Sequence, residues 1–388
     1  MNSMVKRVIR IDLPKRQSAF LWGPRKTGKS TWLKEVFKTS ITYDFLNTDV
    51  FFRLSKEPYR LREELLAADP EKLENPVILD EVQKVPQILD EVHWLIENKG
   101  LRFILCGSSA RKLRRGHGNL LGGRAWRFEM LPLTWHEIGS MNLLHAMNNG
   151  LLPPHYFGTN ASRSLKAYVQ DYLKEEIRAE GLVRNLPSFA RFLDSLGFSH
   201  GELTNYANIA RDCGVDAKTV RSFYEILEDT MLGRFIPPFV RKSSRQLISS
   251  AEKFYLCDVG LAGYLCGRTV PEEKGESFGR AFEHFILMEL IAHRSYAGLD
   301  YDIRFWRTKT GYEVDFVLGE GEVAVEVKGS SRVDNASLKP IEAFVEEYSP
   351  KRAVVVCNER VERRHGKIDV LPWRNFLEKL WSGGVLEK

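Results

Sequence analysis

A glycine-rich segment near the start of this 388-residue chain constrains its fold more than any other feature. Residues 23–30 read GPRKTGKS and fit the pattern G-x-x-x-x-G-K-[S/T]. The apolar run AFLW comes directly before the segment, and the helix-like KSTWLKEVFK overlaps its end. This order predicts a buried strand, a phosphate-binding loop and a helix. We therefore expect nucleotide contacts from Gly23, Pro24, Arg25, Lys26, Thr27, Gly28, Lys29, Ser30 and Thr31.

The residue types of this loop suit the phosphates of a nucleotide. Glycines let backbone N–H groups curl around phosphate oxygens, and the helix N-terminus adds partial positive charge. Lys29 places an ammonium near the β- and γ-phosphates, and Ser30 offers its hydroxyl to Mg²⁺. A plain glycine-rich turn is the alternative interpretation, which the flanking strand and helix patterns disfavour.

Acidic residues end a second apolar run, VILDE, at residues 77–81. We expect Asp80 to hold Mg²⁺ and Glu81 to orient the attacking water, so the implied reaction is ATP hydrolysis. The residues do not by themselves fix ATP over GTP, although no guanine-specifying NKxD-type pattern occurs in a suitable place. A third run, ILCGSS at residues 104–109, puts Ser108 or Ser109 where a polar side chain would contact the γ-phosphate.

The order of these segments resembles the AAA+ branch of P-loop ATPases. One strand candidate, residues 41–46, lies between the loop and the acid pair, and another follows the pair. We also expect a positive charge to act on the γ-phosphate, from the same chain or from a neighbour. The candidates for this charge are Arg111, Arg114, Arg115 and Arg124. For any one of them, a surface or nucleic-acid contact is the commoner alternative.

Changes of pattern predict three domains. Residues 1–140 alternate strands with helices, which predicts an α/β fold around a parallel sheet. Residues 140–162 are predicted to be a linker or long loop, because they mix Asn, Gly and Pro. Residues 163–267 are mostly helical and contain a predicted winged helix-turn-helix with its turn at CGVD and candidate wing strands in FIPPFVRK and AEKFYLCD. Residues 275–388 combine a helix with β-rich runs, which predicts a mixed α/β domain.

A second group of candidate site residues lies in this last domain. Glu326 and Lys328, in VAVEVKG, point to one face of a strand because side chains alternate along it. A hairpin would bring Asp315 beside them, and Glu283 lies in the preceding helix. Carboxylates can hold Mg²⁺ or Mn²⁺, and such a metal could activate water against a phosphodiester. The alternative is an internal Lys–Glu pair on an exposed sheet face.

Composition narrows the partners and the compartment. The net charge of +6 is only mildly basic, but residues 102–127 and 234–245 contain basic residues and no acid. These runs permit contacts with DNA or RNA, or are simply solvated surface. Five cysteines without C-x-x-C spacing, and the lack of an apolar run long enough to span a bilayer, favour a cytoplasmic protein without a membrane partner.

The motifs together resemble a large bacterial and archaeal family of predicted AAA+ ATPases with a C-terminal winged helix and a PD-(D/E)xK nuclease-like fold. The likeness rests on GPRKTGKS, VILDEVQKVP, ILCGSSARKL, LLGGRAWRFEMLPLTWHEI, KFYLCDVGLAGYL, GRAFEHFILMEL, YEVDFVL and VAVEVKGSS. It implies nucleotide and Mg²⁺ roles for Lys29, Ser30, Asp80 and Glu81. It also implies a nuclease-like motif of Glu283, Asp315, Glu326 and Lys328, with Asp315 and Glu326 as metal ligands. Rings are common among AAA+ relatives, so a homo-oligomer is an open expectation.

Three functional hypotheses follow. The favoured one is an ATPase that acts on nucleic acid through the winged helix and the nuclease-like domain. The second is an ATP-driven regulatory switch whose C-terminal fold binds without cleaving. The third, a small-molecule kinase, is disfavoured because it leaves the residues beyond the first domain unexplained.

Overall fold

The computed structural model describes residues 5–109, 121–173, 186–240 and 251–386, with the backbone alone for 171–173. Contacts divide the chain into two compact units. The first comprises Ile9–Pro132 and Ile226–Leu232, and the second comprises Met1–Val8, Leu133–Glu225 and Gly233–Lys388. The three predicted domain boundaries stay predictions.

The first unit alternates strands with helices, as the sequence predicts. Its strands are β1 (Ser18–Trp22), β2 (Thr42–Asp44), β3 (Val77–Asp80), β4 (Phe103–Gly107) and β5 (Ala125–Glu129). Its helices are α1 (Lys29–Val36), α2 (Thr48–Lys56), α3 (Arg60–Leu66) and α4 (Ile88–Lys99), with short 3₁₀ turns at Pro70–Leu73, Val82–Lys84 and Leu121–Gly123.

The five strands form one parallel sheet in the order β2-β3-β4-β1-β5. β1, β3 and β4 are buried along their whole length, which explains why their apolar runs are readable in the sequence. β5 was not predicted, because this edge strand, AWRFE, is partly exposed and has no continuous apolar run. The predicted α/β class with a parallel sheet is confirmed.

The strand order determines which loops meet. β4 lies between β1 and β3, and all three run in the same direction. The segments that follow β1, β3 and β4 therefore leave the sheet at the same edge, where ligands bind in open α/β sheets.

The second unit begins with helices and ends in a mixed sheet. Its helices are α5 (Trp135–Ile138), α6 (Leu143–Asn149), α7 (Pro153–Tyr156), α8 (Ala161–Ala167), α9 (Leu186–Ser199), α10 (Tyr206–Cys213), α11 (Ala217–Asp229, whose end lies in the first unit), α12 (Val259–Leu265), α13 (Gly275–Tyr296), α14 (Asn335–Tyr348) and α15 (Trp373–Trp381). A π-helical turn spans Tyr168–Leu173. Its strands are β6 (Gly233–Ile236), β7 (Lys253–Leu256), β8 (Ile303–Arg307), β9 (Glu313–Leu318), β10 (Val323–Lys328), β11 (Arg352–Cys357), β12 (Arg363–His365) and β13 (Ile368–Pro372).

The predicted linker at residues 140–162 was wrong, because α6 and α7 lie within it. The Asn and Pro residues that suggested a loop instead begin these two helices. The side chain of Asn142 accepts a hydrogen bond from the backbone N–H of His145 and caps α6. Pro153 occupies the first turn of α7, where its missing N–H is not needed.

Two helices and a β-ribbon occupy the predicted helix-turn-helix segment. α10 ends at Cys213 and is capped by Gly214, whose φ of 66° is a left-handed conformation that glycine adopts at low energetic cost. α11 begins three residues after Gly214. β6 and β7 pair antiparallel. Part of the predicted wing, residues 241–250, lies outside the described residues.

The carboxy-terminal sheet has the order β12-β13-β11-β10-β9-β8. β10 pairs parallel with β11 and antiparallel with β9, so the sheet is mixed. The predicted combination of helices and strands in this last region is confirmed. The chain just after β6 joins this domain, because the backbone of Phe239 donates to Phe305 and its ring packs against Phe344.

No helix among the described residues combines the length and the apolar character that crossing a membrane requires.

A buried carboxyl group ties together three helices of the second unit. The Oε1 atom of Glu289, on α13, accepts a hydrogen bond of 2.7 Å from the backbone N–H of Trp135, at the start of α5. Its Oε2 atom accepts one of 2.9 Å from the indole of Trp381, at the end of α15. Burial, with a smaller contribution from the neighbouring charge of Glu137, raises the pKa of Glu289 to about 7.

We expect this carboxyl group to make the protein less stable as the pH rises from about 4.5 to about 7. In that window the unfolded chain releases the proton that the folded chain keeps, so ionisation favours unfolding; below it both states are protonated. The contribution is about 3 kcal/mol. Denaturant unfolding across this range should show a steeper decline for the wild type than for Glu289→Gln. The exposed acid on the same helix provides the control, Glu276→Gln, and equal slopes for all three proteins would contradict the assignment.

Candidate functional site

The phosphate loop leaves the carboxyl end of β1 and turns directly into α1. Gly23 has φ +156°, and a Cβ atom there would lie 2.2 Å from the carbonyl oxygen of Met130. Gly28 caps α1 with φ 92°, in the left-handed region. Both positions therefore require glycine, which explains the glycine spacing of the motif.

Lys29 lies folded over this loop. Its ammonium donates hydrogen bonds of 2.6 and 2.9 Å to the carbonyl oxygens of Gly23 and Pro24, and the residue is only 6% exposed. Burial lowers the pKa of Lys29, although the nearby charges of Glu81 and Asp80 oppose the shift. The buried ammonium can donate charge-assisted hydrogen bonds to the oxygens of a phosphate group.

The remaining predicted loop residues differ in exposure. The hydroxyl of the buried Thr27 donates to the carbonyl oxygen of Pro24 at 2.9 Å and so stabilises the loop itself. Ser30 is half-buried, whereas Arg25, Lys26 and Thr31 are exposed. The loop thus offers a buried cation and several accessible groups to a nucleotide.

The acid pair lies at the same edge of the sheet. Asp80 is the last residue of β3 and is buried, and its Oδ1 atom accepts a hydrogen bond of 3.1 Å from the backbone of Glu81. Glu81 has φ 58°, an uncommon conformation for a residue with a side chain. Burial raises the pKa of Glu81, and the facing charges of Arg25 and Lys29 partly offset this.

Gln83 belongs to the same site, although the sequence did not single it out. Its Nε2 atom donates to Glu81 Oε2 at 2.6 Å and to Ser108 Oγ at 3.3 Å. Ser108 follows β4 and is therefore placed between the acid pair and the phosphate loop, near the position expected for a polar side chain at the γ-phosphate. The local signal for Gln83 is slight: one amide two residues after a predicted water-orienting glutamate.

Arg124 lies at the amino-terminal ends of the strands, whereas the phosphate loop lies at their carboxyl ends. It directly precedes β5, and its carbonyl oxygen accepts from Ser18, the first residue of β1, whereas the phosphate loop follows the last. Its side chain is paired with Glu97. The five residues of β1, with a rise of about 3.3 Å each, separate Arg124 from the phosphate loop. The prediction that Arg124 contacts a γ-phosphate bound to its own chain is therefore wrong. That Arg124 acts on the γ-phosphate of a neighbouring copy stays a prediction. Arg111, Arg114 and Arg115 lie outside the described residues.

The carboxylates of the second group also converge. The Oδ2 atom of Asp315 accepts a hydrogen bond of 2.7 Å from the backbone of Val327, and the backbone of Asp315 donates to Glu326 Oε2 at 3.4 Å. The ammonium of Lys328 pairs with Glu326. This agrees with the predicted hairpin and shared face. Glu326 is only 2% exposed, so the alternative of a pair on an exposed face is wrong.

Glu283 is linked to the cluster through residues that the sequence analysis missed. Tyr255 donates to Glu283 Oε1 at 2.5 Å, and the Lys253 ammonium lies 3.9 Å from the same oxygen. Lys253 also pairs with Glu313. Strand alternation could have found them, since Lys253 and Tyr255 share one face of β7, as Glu313 and Asp315 share one face of β9. We call Lys253, Tyr255, Glu283, Glu313, Asp315, Glu326 and Lys328 the carboxylate cluster.

Burial and mutual repulsion dominate the electrostatics of this cluster. Burial raises the pKa of Glu283 to about 7, with a further contribution from Asp315 and an opposing one from Lys253. Burial also raises the pKa of Asp315, and burial together with repulsion from Asp315 raises that of Glu326. Ionised together, these carboxylates need cations beside them.

Both sites contain side chains of the type that Mg²⁺ binds. In the described part of the chain, no group of three or more His, Cys, Asp or Glu side chains is arranged to hold a metal ion. Mg²⁺ commonly takes one or two protein carboxylates, with water and phosphate completing its shell. Asp80 with Ser30, and Asp315 with Glu326, fit that smaller requirement by ligand type.

Comparison with known families bears on the first of these sites. Residues 15–139 match the family model of an AAA domain. The phosphate loop, the acid pair and Ser108 all lie in this AAA-like region. Residues 143–272 match a domain of unknown function, DUF8612, and residues 278–376 match another, DUF4143, which contains the carboxylates of the second group.

Two curated relatives align with most of the chain. The uncharacterized protein Rv2008c of Mycobacterium tuberculosis is 27% identical over 320 residues, which cover 80% of this chain and 69% of the relative. The uncharacterized protein Mb2031c of Mycobacterium bovis matches with the same values.

Solved structures show only a distant likeness. The Aeropyrum pernix ORC1 protein in complex with DNA is 11% identical with a TM-score of 0.23, covering 65% of this chain and 86% of that chain. The Aeropyrum pernix ORC2 protein (ADPNP–ADP complexes) is 11% identical with a TM-score of 0.22, covering 66% and 89%. Neither likeness is strong enough to bear on the fold or function of this chain.

Proposed function

We propose that this protein is an AAA+-type enzyme that binds and hydrolyses ATP and acts on nucleic acid through its carboxy-terminal half. The observation that carries the proposal is the sheet order. It brings the loop with Lys29, the pair Asp80–Glu81 and Ser108 to one edge of one sheet. The match of residues 15–139 to an AAA domain supports the same conclusion.

Each residue of this edge has a role in the proposed reaction. The Lys29 ammonium balances charge on the β- and γ-phosphate oxygens, in place of the loop carbonyls that it now contacts. Asp80 and Ser30 would hold Mg²⁺, which neutralises charge that develops on the phosphates. Glu81 orients the attacking water and accepts its proton, and Ser108 contacts the γ-phosphate.

Basic side chains on the helix-turn-helix segment support contact with DNA or RNA. Arg211, on α10, and Lys218 and Arg221, on α11, are exposed. The Arg221 guanidinium lies 4.7 Å from the ring centroid of Tyr206, which holds it at the surface. Binding through such residues releases counterions, so the affinity should fall steeply as salt rises.

The carboxylate cluster supports metal-dependent phosphodiester cleavage in the carboxy-terminal domain. Asp315 and Glu326 would hold Mg²⁺ or Mn²⁺, which supplies a Lewis acid to the phosphate. Lys328 would orient water for attack on phosphorus or stabilise the charge that forms there. Glu283 is the fourth member of the proposed motif, held by Tyr255.

One observation favours the alternative of an ATP-driven switch whose carboxy-terminal domain binds without cleaving. The ammonium groups of Lys328 and Lys253 already pair with Glu326 and Glu313. A cluster that supplies its own cations can be stable without a metal, and such a domain would serve as a binding platform.

Glu326→Ala separates the two functions. The test is to incubate the wild type and the variant with plasmid and single-stranded DNA, with and without ATP, in Mg²⁺ and in Mn²⁺. If the cluster is catalytic, cleavage falls by about 100-fold or more in Glu326→Ala, because a ligand of the activating metal is lost. The exposed acid of the preceding turn gives the control Glu320→Ala, which should cleave normally.

Other outcomes of this experiment are equally informative. ATP hydrolysis without cleavage by any protein would support the switch. Absence of salt-dependent binding to DNA and to RNA would contradict action on nucleic acid altogether. The rate of ATP hydrolysis in a Lys29 variant tests the ATPase itself.

A further inference from the structure

The side chain of Gln83 connects two predicted catalytic positions of the ATP site. It is 4% exposed and lies in the 3₁₀ turn that follows Glu81. Its Nε2 atom is 2.6 Å from Glu81 Oε2 and 3.3 Å from Ser108 Oγ. Glu81 follows β3 and Ser108 follows β4, so the amide bridges neighbouring strands.

The chemistry of the partners determines which way the amide points. An ionised carboxylate only accepts hydrogen bonds, so the amide must present its NH₂ group to Glu81. That nitrogen carries two hydrogens, one for Glu81 and one for Ser108. A serine hydroxyl can accept one hydrogen bond while it donates another. Contact of a phosphate with Ser108 can thus be transmitted to Glu81 through a single side chain.

The surroundings hold this amide in place. A Cβ atom on Gly107 would lie 2.2 Å from Gln83 Oε1 and 2.8 Å from the Trp22 ring, so the amide fills a slot that glycine leaves open. The Oε1 atom is buried without a hydrogen-bond partner among the described residues. An unpaired buried acceptor lowers stability, so this side chain does not satisfy all of its hydrogen-bonding capacity in this position.

We propose that Gln83 is a positioning residue of ATP hydrolysis, which orients the Glu81 carboxylate toward water and couples it to Ser108 at the γ-phosphate. This inference rests on the proposed function. Gln83 itself touches no reacting atom and acts only through Glu81 and Ser108. It follows that Gln83 governs turnover of bound ATP and not the binding of ATP.

Gln83→Met removes both N–H donors and keeps a side chain of similar volume. We expect kcat to fall about 100-fold, the effect of a misplaced catalytic group, while the Kd for ATP stays within about twofold. Gln83→Glu keeps the shape of the side chain and replaces the N–H donor by an oxygen acceptor, so its kcat should fall as much as that of Gln83→Met. The exposed Gln87 gives the matched control Gln87→Met, with normal kcat. Gel filtration and the melting temperature show that each variant is folded.

A double variant distinguishes positioning from mere structural support. If Gln83 acts through Glu81, then Gln83→Met adds little to the loss already caused by Glu81→Gln, in single-turnover hydrolysis of radiolabelled ATP. The inference would be overturned if the losses of the two single variants multiply in the double variant, or if kcat is unchanged in both Gln83 variants. Either result would leave the proposed function intact. A wild-type protein that binds but never hydrolyses ATP would overturn both.

Discussion

Replacement of Lys253 by methionine is expected to lower the free energy of unfolding by about 3–5 kcal/mol. The Lys253 side chain is only 5% exposed, pairs with Glu313 and lies 3.9 Å from Glu283. Burial opposes its charge, but the surrounding carboxylates outweigh this and hold the pKa of Lys253 at about 12. Methionine would fill the space and leave the half-buried Glu283 without this cation, whereas Glu313 keeps its ion pair with Arg307. Urea denaturation followed by circular dichroism measures the effect.

Two further variants make this prediction specific. Lys351 forms an ion pair of 2.7 Å with Glu322 but is exposed, so Lys351→Met should change the free energy of unfolding by less than about 1 kcal/mol. The Glu313 carboxylate keeps the Arg307 guanidinium, 3.1 Å away, as a second partner, so adding Glu313→Gln to Lys253→Met should restore only a small part of the loss. If Lys253→Met matches the Lys351 variant, the cluster does not depend on its internal ammonium.

Replacement of Lys29 by alanine is expected to reduce ATP turnover by about 100- to 1,000-fold, the usual effect of removing a preorganised charge from a developing one. The ammonium is held over the loop by the carbonyl oxygens of Gly23 and Pro24 and faces the acid pair. Phosphate release at saturating ATP measures turnover, and fluorescence titration with a nucleotide analogue measures binding.

The same helix supplies the control for this variant. Lys34 is an exposed lysine of α1, and Lys34→Ala should hydrolyse ATP like the wild type. Undiminished turnover in Lys29→Ala would mean that the loop does not hold the phosphates, and the proposed ATPase would fail. Equal losses in both variants would indicate damage to α1 and not to the chemistry.

Several site residues were accessible to sequence reasoning because their signals are local. The glycines at positions 23 and 28 mark backbone that only glycine tolerates, and they lie within one motif. Asp80 ends a run of buried residues, so its position at a strand end is readable without any neighbour. Glu326 and Lys328 follow the two-residue period of a strand, and the structure pairs them. Their catalytic roles stay predictions.

Other residues were missed because their partners are distant in the chain. Gln83 reaches Ser108 across 25 positions, and Tyr255 reaches Glu283 across 28. Nothing near either residue distinguishes it from an ordinary polar side chain. Lys253, on the candidate wing, reads as surface charge until β7 is placed beside the carboxylates of the last domain.

Sequence alone determined the strand–loop–helix of the phosphate site, the acid pair and the period of the last sheet, because each depends on neighbours within a few residues. The tertiary structure decided everything that depends on strand order. It added β5 as a partly exposed edge, which placed Arg124 away from the phosphates, and it inserted β4 between β1 and β3. Strand order is set by how buried faces pack across the whole unit, and no short stretch of sequence records that packing.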